Sequence, residues 1–125
     1  MKKPEIIDIG FKIPEEKLWA ADVISEKILI SEIDYNLDIP YLEKEGTDDW
    51  NLSIRELVND LDSQPYHAKG IRMADVSYPI ELYYFKDKWI ILDGVHRLAS
   101  LVFSGKTEVR VRRFSLEDIE KILRK

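Results

Sequence analysis

The sequence contains no cysteine, which excludes disulfides, thiolate metal sites and cysteine nucleophiles. It also has no apolar run near the roughly 18 residues of a membrane-spanning helix, and its polar start, Met1-Lys2-Lys3-Pro4, does not have the form of a signal peptide. We therefore expect a cytoplasmic protein with no membrane partner. Its 125 residues, 45% of them hydrophobic, predict a single domain, 1–125, around one core.

Charge is unevenly distributed along the chain. Residues 1–66 hold 16 acidic and 7 basic residues, a net charge of −9, whereas residues 67–125 hold 8 and 12, a net charge of +4. The overall charge of −5 disfavours a large nucleic-acid interface. The asymmetry fits an anionic ligand bound by the second half, and it fits equally well two solvated faces of opposite sign that attract each other.

The strongest local pattern begins at Trp89. Trp89–Leu92 is a run of four apolar residues, which predicts a central strand buried on both faces. Gly94 then permits a tight turn, and Val95–Ser104 continues at helical spacing up to Gly105. A buried strand, a glycine and a helix start bring free backbone N–H groups and the positive end of the helix dipole to one point.

This turn, Asp93–Arg97, is the candidate anion site. The Arg97 guanidinium can grip a phosphate or carboxylate through two hydrogen bonds, and His96 gains charge as pH falls. An ordinary strand-to-helix turn, with Asp93 capping the helix and Arg97 in a salt bridge, explains the same residues. Spacing alone leaves these two interpretations about equal.

The remaining elements predict an α+β fold, a mixed β-sheet flanked by helices, whose second half runs β-β-α-β-α. Ser53-Ile54-Arg55-Glu56 fits a capping box at the start of a helix that ends near Asp62. Residues 65–77 show no clear period. In the first half, the other predictions are a helix from Pro14 to about Ile24, a strand over Ile28–Ile33 and helical turns from Asp38 to Glu45. In the second half, they are a hairpin that turns at Lys86-Asp87-Lys88 and a strand over Thr107–Val111 with Arg110 and Arg112 outward. A last helix is predicted from Ser115, with Leu116, Ile119 and Leu123 as its apolar positions.

Residues 75–114 resemble the core of the ParB/sulfiredoxin superfamily. In that core a proline-led strand precedes an aliphatic strand that ends in a glycine and a basic pair, followed by a helix, a glycine and a strand. The matching segments here are Tyr78-Pro79-Ile80, Ile90 to Ala99, Gly105 and Glu108 to Val111. The match covers about a third of the chain and depends on the order of elements as well as on residues.

The resemblance implies a nucleotide or phosphate site. ParB-type partition proteins bind and hydrolyse CTP there, sulfiredoxins use ATP, and an archaeal branch phosphorylates serine with ADP. By motif, Gly94, His96 and Arg97 fall on the phosphate-binding turn, and Tyr78 and Pro79 on the loop beside it. A phosphotransferase or NTPase would also need Mg²⁺, for which Asp93 is the nearest carboxylate and the tentative catalytic residue.

Departures from the family pattern limit that implication. Sulfiredoxins carry a catalytic cysteine where this chain has Val95, so sulfinic acid reduction is excluded. Partition proteins append DNA-binding and dimerisation domains, whereas this chain ends ten residues after Ser115, so we do not expect centromere binding by this chain alone. The alternative interpretation is a DNA-associated (partition- or nuclease-like) or protein-interaction module whose strand-turn-helix motif is only structural.

Other candidates are weaker. We expect His67 to be a surface-loop histidine, and His67 and His96 are too few and too far apart in sequence to argue for a metal site. Glu32, Asp34 and Asp38 are unranked candidates for a general base. The arginines at 110, 112 and 113 have no stacking aromatics among them, so DNA binding is not favoured. The sequence does not indicate an oligomeric state.

Overall fold

The computed structural model describes residues 3–124 and has an α+β architecture with one four-stranded mixed sheet. The strands run in the order β1-β4-β2-β3, with β2 and β4 parallel and the two outer pairs antiparallel. The strands are β1 (Ser25–Leu29), β2 (Ile80–Phe85), β3 (Lys88–Asp93) and β4 (Glu108–Phe114). The helices are α1 (Glu15–Ala20), α2 (Ile54–Asn59), α3 (Pro65–Met73), α4 (Val95–Phe103) and α5 (Leu116–Arg124), with short 3-10 helices at Glu5–Ile7, Ile30–Asp38 and Leu61–Ser63.

The predicted β-β-α-β-α order of the second half is confirmed. Both faces of β2 are covered, because four successive residues, Ile80 to Tyr83, are buried. The hairpin turns at Lys86 and Asp87, whose φ angles of 50° and 66° suit the tight turns that join antiparallel strands. Within residues 3–124 no helix is long and apolar enough to cross a membrane.

The expectation of a central strand at Trp89–Leu92 is wrong in one respect, since β3 lies at the edge of the sheet. Ile90 and Ile91 are nevertheless buried. Side chains from the first half occupy the open backbone edge. The Tyr35 hydroxyl donates to the Trp89 carbonyl at 2.8 Å and accepts from the Trp89 N–H, and the Tyr41 hydroxyl accepts from the Ile91 N–H at 2.8 Å. These contacts satisfy backbone groups that an open edge strand would leave exposed for pairing with another chain.

The capping box is confirmed: Ser53 Oγ accepts from the Glu56 N–H at 3.1 Å, and Glu56 Oε1 accepts from the Ser53 N–H at 3.1 Å. The helix it starts, α2, ends at Asn59, three residues earlier than expected. The last helix is confirmed, but Leu116 is exposed at its start and the buried positions are Ile119 and Ile122.

Several first-half predictions are wrong. The strand ends at Leu29, where a 3-10 helix begins because Glu32 accepts the Leu29 N–H at 2.9 Å. Asp38 ends the 3-10 helix instead of starting a helical turn, and residues 39–45 are not helical, since Leu42 pairs with Leu52 in an isolated bridge. Helix α1 stops at Ala20 rather than near Ile24, and residues 65–77 contain the nine-residue helix α3.

Candidate functional site

The turn between β3 and α4 depends on one glycine. Gly94 is the N-cap of α4 and has φ 104° and ψ 21°, a conformation that L side chains rarely adopt. A Cβ at this position would lie 2.6 Å from Ile80 Cγ2 and 3.2 Å from Ile80 Cα. The backbone of the turn is therefore pressed directly against β2, and only glycine fits there.

No side chain of the described residues caps the start of α4. Asp93 does not do so, contrary to the structural interpretation of the turn, because its Oδ2 accepts the Trp19 indole N–H at 2.9 Å instead. The first backbone N–H groups of a helix have no partner within the helix. Here they lie beside a cleft of about 520 Å³, whose wall runs from Asp93 to Arg97 and includes Gly70 and residues 73–75.

Arg97 lines this cleft, whereas the predicted loop residues Tyr78 and Pro79 contact Arg97 but do not line the cleft. Its Nη1 donates to the Pro79 carbonyl at 3.0 Å, and its guanidinium lies over the Tyr78 ring at 5.7 Å. The Asp93 carboxylate is 4.0 Å from the same Nη1, a weak ion pair. Nε and Nη2 of Arg97 donate no hydrogen bond to any described residue, so these two nitrogens, with three N–H groups, remain for a ligand.

His96 lines the cleft but faces a second histidine. Its ring stacks on His67 at 5.3 Å between centroids, and His96 Nε2 lies 3.1 Å from His67 Nδ1. Gly70 makes room for the ring, because a Cβ there would lie 2.9 Å from His96 Cδ2. The expectation of a surface-loop His67 is wrong: it is buried on α3.

The hydrogen bonds fix the tautomers of this pair. His67 Nε2 lies 2.6 Å from the Glu43 carbonyl, which can only accept, so Nε2 carries the proton and Nδ1 of a neutral His67 accepts from His96 Nε2. Burial lowers the pKa of His96, and the neighbouring His67 lowers it further. His96 is therefore less suited to be a cationic phosphate ligand than Arg97.

A buried carboxylate that the sequence did not single out lies beside the turn. Glu81, on β2, is paired in register with Asp93 on one side and Arg112 on the other. Its Oε2 is buried without a hydrogen-bond partner and lies 3.6 Å from Arg112 Nη1. Burial raises the pKa of Glu81 to about 7, Arg112 opposes that rise, and Asp93 adds to it.

Arg112 is also buried, so the expectation that it points outward is wrong. Its guanidinium donates to the backbone carbonyls of Leu18, Ala21 and Val23, at 3.4, 2.6 and 3.2 Å. It thereby ties the segment after α1 to the sheet. With Trp19, Tyr78, Pro79 and Arg97, the Glu81–Arg112 pair lines a second cavity of about 360 Å³.

The remaining candidates lie elsewhere. Asp38 pairs with Arg55 at 2.7 Å, and this hydrogen-bonded ion pair lowers the pKa of Asp38. Glu32 accepts a hydrogen bond from the N–H of Leu29, the last residue of β1. Neither these nor Asp34 lines the cleft at the α4 start. Among residues 3–124, no three His, Asp or Glu side chains group as a metal site.

In comparisons with known proteins, no family model, no curated protein and no solved structure matches the chain.

Proposed function

We propose that this chain binds the phosphate groups of a nucleotide, or of another phosphorylated ligand, at the turn between β3 and α4. The observation that carries the proposal is the uncapped α4 start beside a cleft of about 520 Å³, with two guanidinium nitrogens of Arg97, Nε and Nη2, unused at its edge. Helix N-termini bind anions through free N–H groups and the helix dipole, and an arginine fork adds charge-assisted hydrogen bonds.

The ParB/sulfiredoxin-like fold and a nucleotide such as ATP, ADP or CTP belong to the same proposal. What supports them is the mixed sheet, the β-β-α-β-α order and the position of Gly94, His96 and Arg97 on one turn. Tyr78 and Pro79, which the resemblance puts on the loop beside the turn, both contact Arg97.

The site also fits a magnesium ion carried by the phosphates. Mg²⁺ is usually held by one or two carboxylates together with substrate phosphates. Asp93 Oδ2 accepts the Trp19 N–H, which leaves Oδ1 to hold the ion at the wall of the cleft. The ion would neutralise phosphate charge in a phosphotransferase or NTPase. Arg97 would orient the phosphates, and Trp19 would orient Asp93.

DNA binding receives less support. Of the arginines on β4, Arg112 is buried and Arg113 pairs with Glu26 at 2.9 Å, while Arg110 donates to Ser25 at 3.1 Å. These cations are already used within the molecule, so they do not form a free stripe for a phosphate backbone.

The test measures the binding of tripolyphosphate and ATP, with and without Mg²⁺, by titration calorimetry. Arg97→Ala should weaken binding by about 1.5 to 3 kcal/mol, the usual value of a hydrogen bond to a charged group. Arg110→Ala removes an equal charge from an exposed strand position and is the matched control. Circular dichroism must show both variants folded. If folded Arg97→Ala bound as tightly as Arg110→Ala, or if the wild type bound neither ligand, the proposal would be wrong.

A further inference from the structure

The histidine pair that joins α3 to α4 has no part in phosphate binding as described above. His67 Nδ1 accepts from His96 Nε2 at 3.1 Å, and His67 Nε2 donates to the Glu43 carbonyl at 2.6 Å. These hydrogen bonds use both nitrogens of His67 but only one nitrogen of His96. The other, His96 Nδ1, belongs to a ring that lines the cleft of about 520 Å³ at the α4 start, which we call the phosphate cleft.

We infer that His96 is the proton acceptor of a hydrolytic reaction in the phosphate cleft, and that His67 positions it. This inference rests on the proposed function and assigns residues to the reaction. The juxtaposition that carries it is an unpartnered imidazole nitrogen at the cleft, on a ring that a buried second imidazole holds by the opposite nitrogen.

In this step, a water oxygen forms a bond to a phosphorus atom of the bound phosphoanhydride, and one proton of that water passes to His96 Nδ1. The bond from the same phosphorus to the bridging oxygen breaks, and its electron pair leaves with the departing phosphate. The His96 imidazolium then returns the proton to solvent. A side chain that takes the proton of a nucleophile contributes about 10²- to 10⁴-fold to the rate.

The accessibility of the nitrogen provides the first argument. His96 Nδ1 accepts no hydrogen bond from any described residue. The described side-chain atom that is both buried and without a partner is Glu81 Oε2, so the unpartnered Nδ1 of His96 is open to solvent. A Cβ at Gly70 would lie 2.9 Å from His96 Cδ2, so this edge of the ring faces α3 and Nδ1 lies on the opposite edge.

The tautomer provides the second argument. Because the Glu43 carbonyl can only accept, the protons of the neutral pair lie on His67 Nε2 and His96 Nε2, and the lone pair of His96 is on Nδ1. A base that a third group orients is the arrangement by which enzymes activate hydroxyl nucleophiles. Burial lowers the pKa of His96 and His67 lowers it further, which keeps this lone pair free of a proton at neutral pH.

The other charged groups that line the cleft are poorer bases. Arg97 does not lose its proton in proteins. Asp75 Oδ1 accepts from the N–H and the hydroxyl of Ser77, and these hydrogen bonds lower the pKa of Asp75. Asp93 has one oxygen on the Trp19 indole, and its other oxygen is the proposed magnesium ligand. His96 is therefore the group of this set that combines an unused lone pair with neutrality.

The experiment measures phosphate release from tripolyphosphate and from ATP with Mg²⁺, together with their dissociation constants. His96→Gln removes the base but keeps an N–H for His67 Nδ1, so kcat should fall by about 100-fold or more while the dissociation constants stay the same. Lys69→Gln, at an exposed position of α3, is the matched control. Binding without release by the wild type, or undiminished release by folded His96→Gln, would overturn this inference and leave phosphate binding intact. No binding of either probe would instead overturn the proposed function.

Substitutions at His67 separate positioning from folding. His67→Leu removes the acceptor for His96 Nε2–H, so kcat should fall by up to about 100-fold, the cost of a misplaced catalytic group. His67→Gln keeps an acceptor and should recover most of this loss. Equal kcat in wild type and folded His67→Leu would contradict the positioning role, and if His67→Leu fails to fold, His67→Gln decides through its pH profile.

The pH profile distinguishes positioning from a merely structural role. For wild type, kcat/KM should be level above about pH 6.5 and fall below it as His96 becomes protonated. Both His67 variants should move this fall to higher pH, because His67 no longer lowers the pKa of His96. An unmoved profile would contradict the role of His67. The titratable and charged groups around His96 are His67 from α3, Asp75 from the segment after α3, Asp93 from β3 and Arg97 from α4, while α2 directs Arg55 to Asp38 and Glu56 to Ser53.

Nitrogen-15 NMR of the imidazole rings tests the tautomers without any turnover. At pH 7.5, in the absence of ligand, we expect both rings to carry their proton on Nε2. A His96 ring protonated on Nδ1 would have no lone pair to offer at the cleft and would overturn the inference. This measurement on the wild type decides the matter if His96→Gln fails to fold.

Discussion

The buried Glu81 carboxyl makes a specific prediction about stability and pH. Because burial raises its pKa from 4.5 to about 7, the folded protein holds this proton between those values while the unfolded chain releases it. The contribution of Glu81 to stability is therefore fully present below pH 4.5 and is lost as pH rises through about 7. Glu81→Gln cannot ionise, so the difference in free energy of unfolding between wild type and variant should change across this window.

The size of this change follows from the difference between the two pKa values of Glu81. They differ by roughly 2.5 pH units, and each unit corresponds to about 1.4 kcal/mol. The free energy of unfolding of wild type should therefore fall by about 3 kcal/mol relative to that of Glu81→Gln between pH 4.5 and 7.5. The ion pair with Arg112 should not reverse the sign of this pH dependence. When residue 81 is uncharged, the Arg112 guanidinium still donates to its three backbone carbonyls.

Urea unfolding followed by circular dichroism at pH 4.5, 5.5, 6.5 and 7.5 measures this difference. A loss of about 3 kcal/mol corresponds to a midpoint shift of about 1 to 3 M urea for a protein of this size. Glu108→Gln corrects for the loss of one negative charge at an exposed site. A difference that stayed constant with pH would refute the reasoning, and one of opposite sign would show that the Arg112 ion pair outweighs burial.

Two further substitutions test the framework of the site by urea unfolding. Gly94→Ala should lower the free energy of unfolding by about 2 to 5 kcal/mol, because the left-handed backbone is strained and the new Cβ clashes with Ile80. Gly105→Ala, with φ 74° and open space, should lower it by only the backbone part, about 1 to 2 kcal/mol, and equal losses for the two variants would mean that the Ile80 contact is unimportant. Tyr41→Phe should lower the free energy of unfolding by about 1 to 3 kcal/mol, because it leaves the buried Ile91 N–H without an acceptor. A negligible loss would show that the hydrogen bond to the open edge of β3 does not stabilise the protein.

The strand-turn-helix at the site could be predicted because its signals are local. Trp89–Leu92 is an apolar run, Gly94 is a single residue with one backbone role, and α4 keeps its helical spacing. What the pattern could not give is the place of β3 in the sheet. That depends on Tyr35 and Tyr41, some fifty residues earlier, whose hydroxyls satisfy the open edge.

Helix α3 was missed for a related reason. Its sequence includes Gly70, which lowers helix propensity and obscures the period. The structure explains the glycine through packing, since the His96 ring lies where a Cβ would be. Pro65 at the first helical turn was the local signal available. The pairing of His67 with His96 joins two helices and has no sequence signature.

Glu81 escaped notice because its partners are distant in sequence. In the run Ile80–Phe85 it looks like an ordinary outward residue of an alternating strand. Its burial comes from Arg112 on the parallel neighbour and from the segment after α1, which Arg112 holds over the sheet. A parallel pairing across about thirty residues cannot be inferred from local pattern, and the same contact explains why Arg112 is not outward.

The charge asymmetry of the sequence allowed two interpretations, and the contacts account for part of it by attraction between the two halves. Arg113 pairs with Glu26, and Arg112 binds backbone carbonyls of the first half, so these cations of the second half hold the two halves together. Arg97 differs, because its own contacts, with Tyr78, Pro79 and Asp93, leave Nε and Nη2 without a hydrogen-bond acceptor among the described residues, beside both cavities. Attraction between halves thus explains Arg112 and Arg113 but does not explain Arg97. The proposal of a ligand accordingly depends on that single guanidinium, and Arg97→Ala is the substitution that decides it.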